Sequence, residues 1–313
     1  MAHDHGHHHG HSHGHAASVP DMALPLALLI GYALVELFGG LWAGSLALVS
    51  DSGHMFSDAL ALTLALVASR LARRPVGKRH SYGLVRAEVI AALINGMAML
   101  VIIVFIVVEA VRRLRHPVAV AGTEVIGIAF IGLLVNLAVA YLIGRAEPSI
   151  NMRAALIHVL GDILGSLAAL IAGAVVYFTG WLPIDPILSF VIGALILAST
   201  LRLLRDVMHV LMEGVPRAVD LNQVGEALAQ LSGVSRVHDL HIWDLTPGHV
   251  ALSAHLEVPD IRHWPQTLPL ARTLLKERFG IEHVTLQPEA SGWETPPRKA
   301  EIKLFRPKGR IDD

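Results

Sequence analysis

Two short stretches of the chain share one spacing: His54-Met55-Phe56-Ser57-Asp58 and His158-Val159-Leu160-Gly161-Asp162. In each, an aspartate follows a histidine at the i+4 position, which on a helix puts both side chains on one face, a turn apart. Both pairs lie inside long apolar runs, where a carboxylate costs about 3 kcal/mol on insertion scales. A chain that accepts this cost twice, with the same chemistry, is expected to build one site from two helices. Two imidazoles and two carboxylates make a tetrahedral-capable ligand set suited to zinc. Zinc takes neutral imidazole and ionised carboxylate, so protons compete for the same atoms, and imidazole titrates near neutrality. Such a site gives up metal when it faces an acidic compartment and takes it up from a more alkaline cytoplasm. The expected consequence is metal export coupled to inward proton flow.

Other polar residues sit in the same runs. Asp51 precedes Asp58 by two turns and lies near the same face at the mouth of its helix, where it either caps the helix or attracts cations. Asn95 and Asn136 are expected to hydrogen-bond between helices.

Composition sets the frame. The 313 residues are 53% hydrophobic and 16% charged, with a mean hydropathy of +0.55. The usual charged share is about 25%, so this is the composition of a membrane protein. The net charge of −1 argues against nucleic acid as a partner, because neutralising phosphates needs a basic surface. There is no cysteine, which leaves histidine and carboxylate as the ligands for any soft metal. Of 19 histidines, eight fall in the first 15 positions. Residues 1–18 form a His- and Gly-rich arm that cannot pack a core and reads as a flexible metal collector.

Six apolar segments follow, at about residues 22–46, 48–71, 88–111, 124–143, 152–178 and 184–204. Each approaches the roughly 20 residues that span a bilayer. Arg70, Arg73, Arg74, Lys78, Arg79 and Arg86 flank the second connection, Arg145 and Arg153 the fourth, and Arg202 and Arg205 end the sixth segment. By the charge bias of cytoplasmic loops, both termini are cytoplasmic. Arg112, Arg113 and Arg115 go against that rule. The transmembrane region is thus read as 19–212.

From residue 213 to 290 the sequence reads as a soluble α+β unit. A helical period over 220–231 is followed by strands at 235–245 and 250–258 joined by a Thr246-Pro247-Gly248 turn. A helix over 268–279 ending at Gly280 and a strand over 282–287 complete an αββαβ order. Residues 291–313 read as a flexible Pro- and Lys/Arg-rich tail.

The stretches Ser50-Asp51-Ser52-Gly53-His54-Met55-Phe56-Ser57-Asp58, His80-Ser81-Tyr82-Gly83-Leu84-Val85-Arg86-Ala87-Glu88, His158–Asp162, Val237-His238-Asp239-Leu240-His241-Ile242-Trp243 and Ser253-Ala254-His255-Leu256 carry a resemblance over about residues 20–290. Together they resemble the cation diffusion facilitator family, in its bacterial zinc-exporter branch. The resemblance implies six transmembrane helices, a cytosolic domain of ferredoxin-like topology, a homodimer in the lipid of a bacterial inner membrane, and exchange of a divalent ion for protons by alternating access. It implies Zn²⁺ as the transported ion and as a regulatory one, with Cd²⁺, Co²⁺ and Ni²⁺ as alternatives. Histidine in both intramembrane pairs fits the zinc and cadmium type.

The resemblance also assigns residues outside the membrane. Of a family metal site in the loop after the second helix only His80 remains, since Gly77 and Leu84 stand where some members have ligands. His80 is then a loop hydrogen-bonding residue or a transient relay ligand. His238 and His255 match ligands of dimer-bridging metal sites in the cytosolic domain. Glu289 can complete that set, Gln287 replaces a histidine, and His241 and His283 are candidates to substitute. Arg86 and Glu213 match a charge pair tying the third helix to the end of the sixth.

Other functions fit less well. An intramembrane metalloprotease needs a general base, typically in His-Glu-x-x-His, and that motif is absent, so no enzyme is expected. A membrane metal sensor or metal-binding regulatory protein without transport is the alternative, and metal uptake into vesicles separates the two. A channel would run without a proton gradient and has no need of four closed ligands.

Overall fold

In the computed structural model, residues 19–74, 77–144, 150–246, 248–290 and 305 are described. The His-rich arm, Pro247 of the expected turn and all of 291–313 except Phe305 lie outside them. The apolar runs form helices α1 (Val19–Ala43), α2 (Leu46–Ala72), α3 (Ala87–Arg115), α4 (Gly122–Gly144), α5 (Ile150–Thr179) and α6 (Ile184–Leu211). Among the described residues, five of these helices, α2 to α6, are long and apolar enough to cross a membrane. Phe38, Trp42, Val101 and Phe178 stand more than half exposed. Large apolar side chains turned outward along such helices suit hydrocarbon, not water.

The chain packs as two compact units, residues 1–60 with 99–197, and residues 61–98 with 198–313. In the first, α4 and α5 run close because both are bare at the contact. A Cβ on Gly122 would stand 2.9 Å from the Gly173 carbonyl oxygen, and one on Gly173 would stand 3.0 Å from the Ile126 nitrogen. Small residues let helix backbones approach in this way. Ala43, Ala47, Leu48, Val125, Ala129 and Ala169 fill the neighbouring core. Asn136 donates to Ser166 Oγ at 3.2 Å, an α4–α5 hydrogen bond of the kind expected for it.

The start of α2 corrects the cap expected from Asp51. The chain turns at Gly44, whose φ is +70°, and the helix begins at Leu46. Its first donors reach across to α6. Ser45 Oγ donates to Asp185 Oδ1 at 2.5 Å, Leu46 N to Oδ2 at 2.7 Å and Ala47 N to Oδ1 at 3.3 Å. Asp185 is fully buried and supplies the cap. Asp51 lies a turn further on, too deep to serve.

The same corner accounts for one of the arginines that run against the charge bias. Arg113 donates to Glu109 Oε1 at 2.9 Å and to the Gly44 carbonyl, and stands 3.9 Å from Asp185 Oδ2. Its position is fixed by the fold.

The second unit holds α7 (Leu221–Ala229), β1 (Arg236–Thr246), β2 (His249–Val258), α8 (Trp264–Phe279) and β3 (His283–Ala290). Asp220 caps α7 by accepting from Asn222 N at 2.8 Å and Gln223 N at 3.3 Å. The three strands lie in the order β1-β2-β3, with β1 antiparallel to β2 and β2 parallel to β3. The parallel pair needs a crossover, which α8 provides. That helix begins at Trp264, earlier than the apolar period suggests, because Pro265 is tolerated in a first turn. It ends at Gly280 with φ +68°.

One sheet face and both helices enclose Val224, Leu228, Val237, Ile242, Leu252, Leu256 and Leu275. Phe305, within the segment expected as a tail, is docked on this core. It exchanges two 2.9 Å backbone hydrogen bonds with Val237. Its ring occupies the space beside Gly225, where a Cβ would collide with the ring carbons.

Candidate metal centres

The helical spacing sets His54 and Asp58 together on α2. His54 Nδ1 and Asp58 Oδ2 are 3.6 Å apart, with side chains 23% and 34% exposed. Asp162 is buried on α5. His158 lies one turn earlier on that helix, and its side chain is outside the described residues. The approach of α2 to α5 is made by Asp51, whose carboxylate fills the space over Gly165. A Cβ at that glycine would meet Asp51 Oδ1 at 2.5 Å.

Sequence reasoning missed a residue of this region. Glu36 on α1 is fully buried, accepts from Tyr32 Oη at 3.1 Å, and lies close enough to Asp51 and Asp162 for the three carboxyl groups to interact electrostatically. A signal was available: Glu36 is a carboxylate in an apolar run, subject to the same insertion cost that singled out Asp58 and Asp162. Tyr32 in turn reaches this position over Gly132, where a Cβ would clash with its hydroxyl.

In the second unit, strand register assembles a cluster. His238 pairs directly with His255 across β1 and β2, so both project from one face. His255 pairs with Gln287 on β3, and Glu289, two residues on, shares that face. His238 Nε2 lies 2.9 Å from Glu289 Oε2, and His255 Nδ1 lies 2.6 Å from Glu289 Oε1. One ligand atom from each of the three lies within 4.8 Å of the others, the only such group of three or more metal-binding side chains among the described residues. His238 is only 3% exposed, so the site is sunk into the domain, not spread on an outer face. Two imidazoles and a carboxylate fit zinc as three of its four usual ligands.

The remaining candidates lie apart from this cluster. His241 is exposed and holds Asp239 Oδ1 at 3.1 Å. His283 is exposed, its ring edge-on to Tyr82 at 5.7 Å. His80 is exposed in the loop between α2 and α3. It shares with Tyr82, Arg86, Glu213, His241 and Trp243 the lining of a groove of about 1200 Å³. Arg86 Nη2 and Glu213 Oε1 are 3.1 Å apart with side chains 35% and 62% exposed, an exposure at which an ion pair contributes at most about 1 kcal/mol.

Comparison with known proteins adds independent findings. The family model described as the cation efflux transmembrane domain matches residues 22–212. That of the cation efflux protein cytoplasmic domain matches residues 216–291. The chain is 37% identical over 294 residues to the cadmium, cobalt and zinc/H(+)-K(+) antiporter of Bacillus subtilis (strain 168), covering 92% of each chain. It is 40% identical over 262 residues to the zinc transporter ZitB of Escherichia coli (strain K12), covering 83% of each. Among solved structures, the metal-bound C-terminal domain of the CzcD transporter from Cupriavidus metallidurans is 38% identical, covers 23% of this chain and 99% of that one, and has a TM-score of 0.22.

Proposed function

The chain belongs to the cation efflux, or cation diffusion facilitator, family, and from that premise we propose that it exports divalent metal ions, Zn²⁺ foremost, in exchange for protons. Relatives are named for cadmium, cobalt and zinc and for zinc, and Cd²⁺ and Co²⁺ are further cargo. The observation that carries the reading is the His54–Asp58 pair, 3.6 Å apart on a membrane-capable helix. The first turns of that helix meet α5, the bearer of Asp162, through Asp51 and Gly165. His54, Asp58, His158 and Asp162 are the transport ligands. Facing the cytoplasm, they lose protons and take up metal. Facing the acidic side, they regain protons and release it. Alternating exposure of one such site converts a proton gradient into metal efflux without chemistry on the metal.

The protein works as a homodimer of six-span subunits in a bacterial inner membrane, both termini cytoplasmic, with a ferredoxin-like domain beyond residue 212. His238, His255 and Glu289 hold a regulatory ion there, which would tie β1, β2 and β3 together.

The test is reconstitution into proteoliposomes with an acid-loaded lumen. Zn²⁺ should accumulate inside and the lumen should become more alkaline as it does. Metal that binds the protein without entering the vesicles would instead favour a sensor.

A further inference from the structure

We propose that Asp239 is the positioning residue of the cytosolic metal site: its carboxylate holds the Nε2 side of the His255 ring and so turns Nδ1 toward Glu289 as the ligating nitrogen. The proposal rests on the reading of His238, His255 and Glu289 as metal ligands.

Simple alternation along β1 would send Asp239 to the face opposite His238, into the apolar core beside Val237. A bulge prevents this. Register runs from His238↔His255 to His241↔Ser253, so Asp239 and Leu240 together oppose Ala254 alone. Asp239 takes a φ of +51°, a conformation that costs stability for any residue with a Cβ. Bulges recur beside functional sites because they re-aim one side chain.

Here the re-aimed carboxylate comes round to the ligand face. Its Oδ2 is 3.7 Å from His255 Nε2, and its Oδ1 is 3.1 Å from His241 Nε2. The first is longer than a hydrogen bond and lies on the opposite side of the ring from the 2.6 Å contact between Nδ1 and Glu289. A ligating imidazole whose other nitrogen faces a carboxylate has its tautomer and ring orientation set by that carboxylate. Asp239 also joins the half-buried His255 to the exposed His241, which explains why His241 keeps its place near the site without sharing in the cluster.

The experiment uses the chain carrying Asp162→Ala with the eight histidines of the arm changed to serine, so that tight binding reports the cytosolic site. Zn²⁺ affinity is measured by competition with a chelating indicator, the Co²⁺ absorption spectrum is recorded, and melting is followed without metal. Asp239→Gly should weaken Zn²⁺ binding ~10- to 100-fold and alter the Co²⁺ spectrum. Its metal-free melting should be unchanged or raised, since glycine accepts the left-handed backbone. Asp239→Asn keeps the backbone and an acceptor but not the charge, and should fall between. Affinity and spectrum unchanged in Asp239→Gly would overturn the proposal. So would affinity lost only in step with metal-free melting. His238→Ala in the same background tests the underlying site: if it binds Zn²⁺ like its parent, the ligand assignment itself fails, a result distinct from failure at Asp239 alone.

Discussion

The carboxylate of Asp51 on α2 rests against the bare Cα of Gly165 on α5. A methyl group there would stand 2.5 Å from Oδ1 and 2.9 Å from Cγ. Asp51 is buried, so an added methyl must displace its carboxylate from this packed position. Gly165→Ala should therefore cost about 1–3 kcal/mol, the range for overpacking, and lower metal transport. Gly161→Ala, one turn earlier on the same helix, meets nothing within 4 Å and should be neutral or slightly stabilising, as alanine is the better helix former. Melting in detergent and vesicle uptake of both variants check the contrast.

Asp185 predicts a larger effect. Its carboxylate accepts from Ser45 Oγ, Leu46 N and Ala47 N in a fully buried corner. Asp185→Ala strands those donors, each worth about 1–3 kcal/mol when left unsatisfied. The total loss should reach about 3 kcal/mol or more. Asp185→Asn keeps one acceptor and should lose less. Thermal unfolding of the pair reads the difference.

Stability should also depend on pH through Asp244 of β1. Burial raises its carboxyl above the usual range, opposed in part by His209. A carboxyl raised in the folded state favours folding fully below the unfolded pKa and loses that contribution as pH rises through the folded one. Asp244→Asn should accordingly melt higher than the parent at neutral pH, and the gap should close as pH falls below about 4, the ordinary aspartate range. A gap that widens on acidification would contradict this.

The sequence made some of this legible and hid the rest for physical reasons. Apolar run length announces α2 to α6, since a bilayer imposes it, and turn chemistry marks the end of α8 at Gly280. The His54–Asp58 proximity follows from helical spacing alone. Glu36 was within reach of the same cost argument, because it too is a carboxylate surrounded by apolar neighbours along α1. By contrast, the cap of α2 depends on Ser45 meeting Asp185, 140 residues away, so local spacing pointed wrongly to Asp51. The Asp239 bulge is equally nonlocal, because only the pairing of β1 with β2 reveals which residue is extra. Phe305 docks on Val237 from a stretch whose Pro- and Lys/Arg-rich composition reads as unstructured, and composition cannot register one buried aromatic ring.

The central claim is that a His/Asp site spanning α2 and α5 exchanges metal for protons. The direct measurement is simultaneous Zn²⁺ influx and lumenal pH in acid-loaded proteoliposomes, comparing the parent with Asp162→Ala and His54→Ala. The parent should show Zn²⁺ entry and lumenal alkalinisation in fixed proportion, and both signals should fall to the level of protein-free vesicles in Asp162→Ala and fall sharply in His54→Ala. Asp162→Ala vesicles that still take up Zn²⁺ and move protons like the parent would contradict the account.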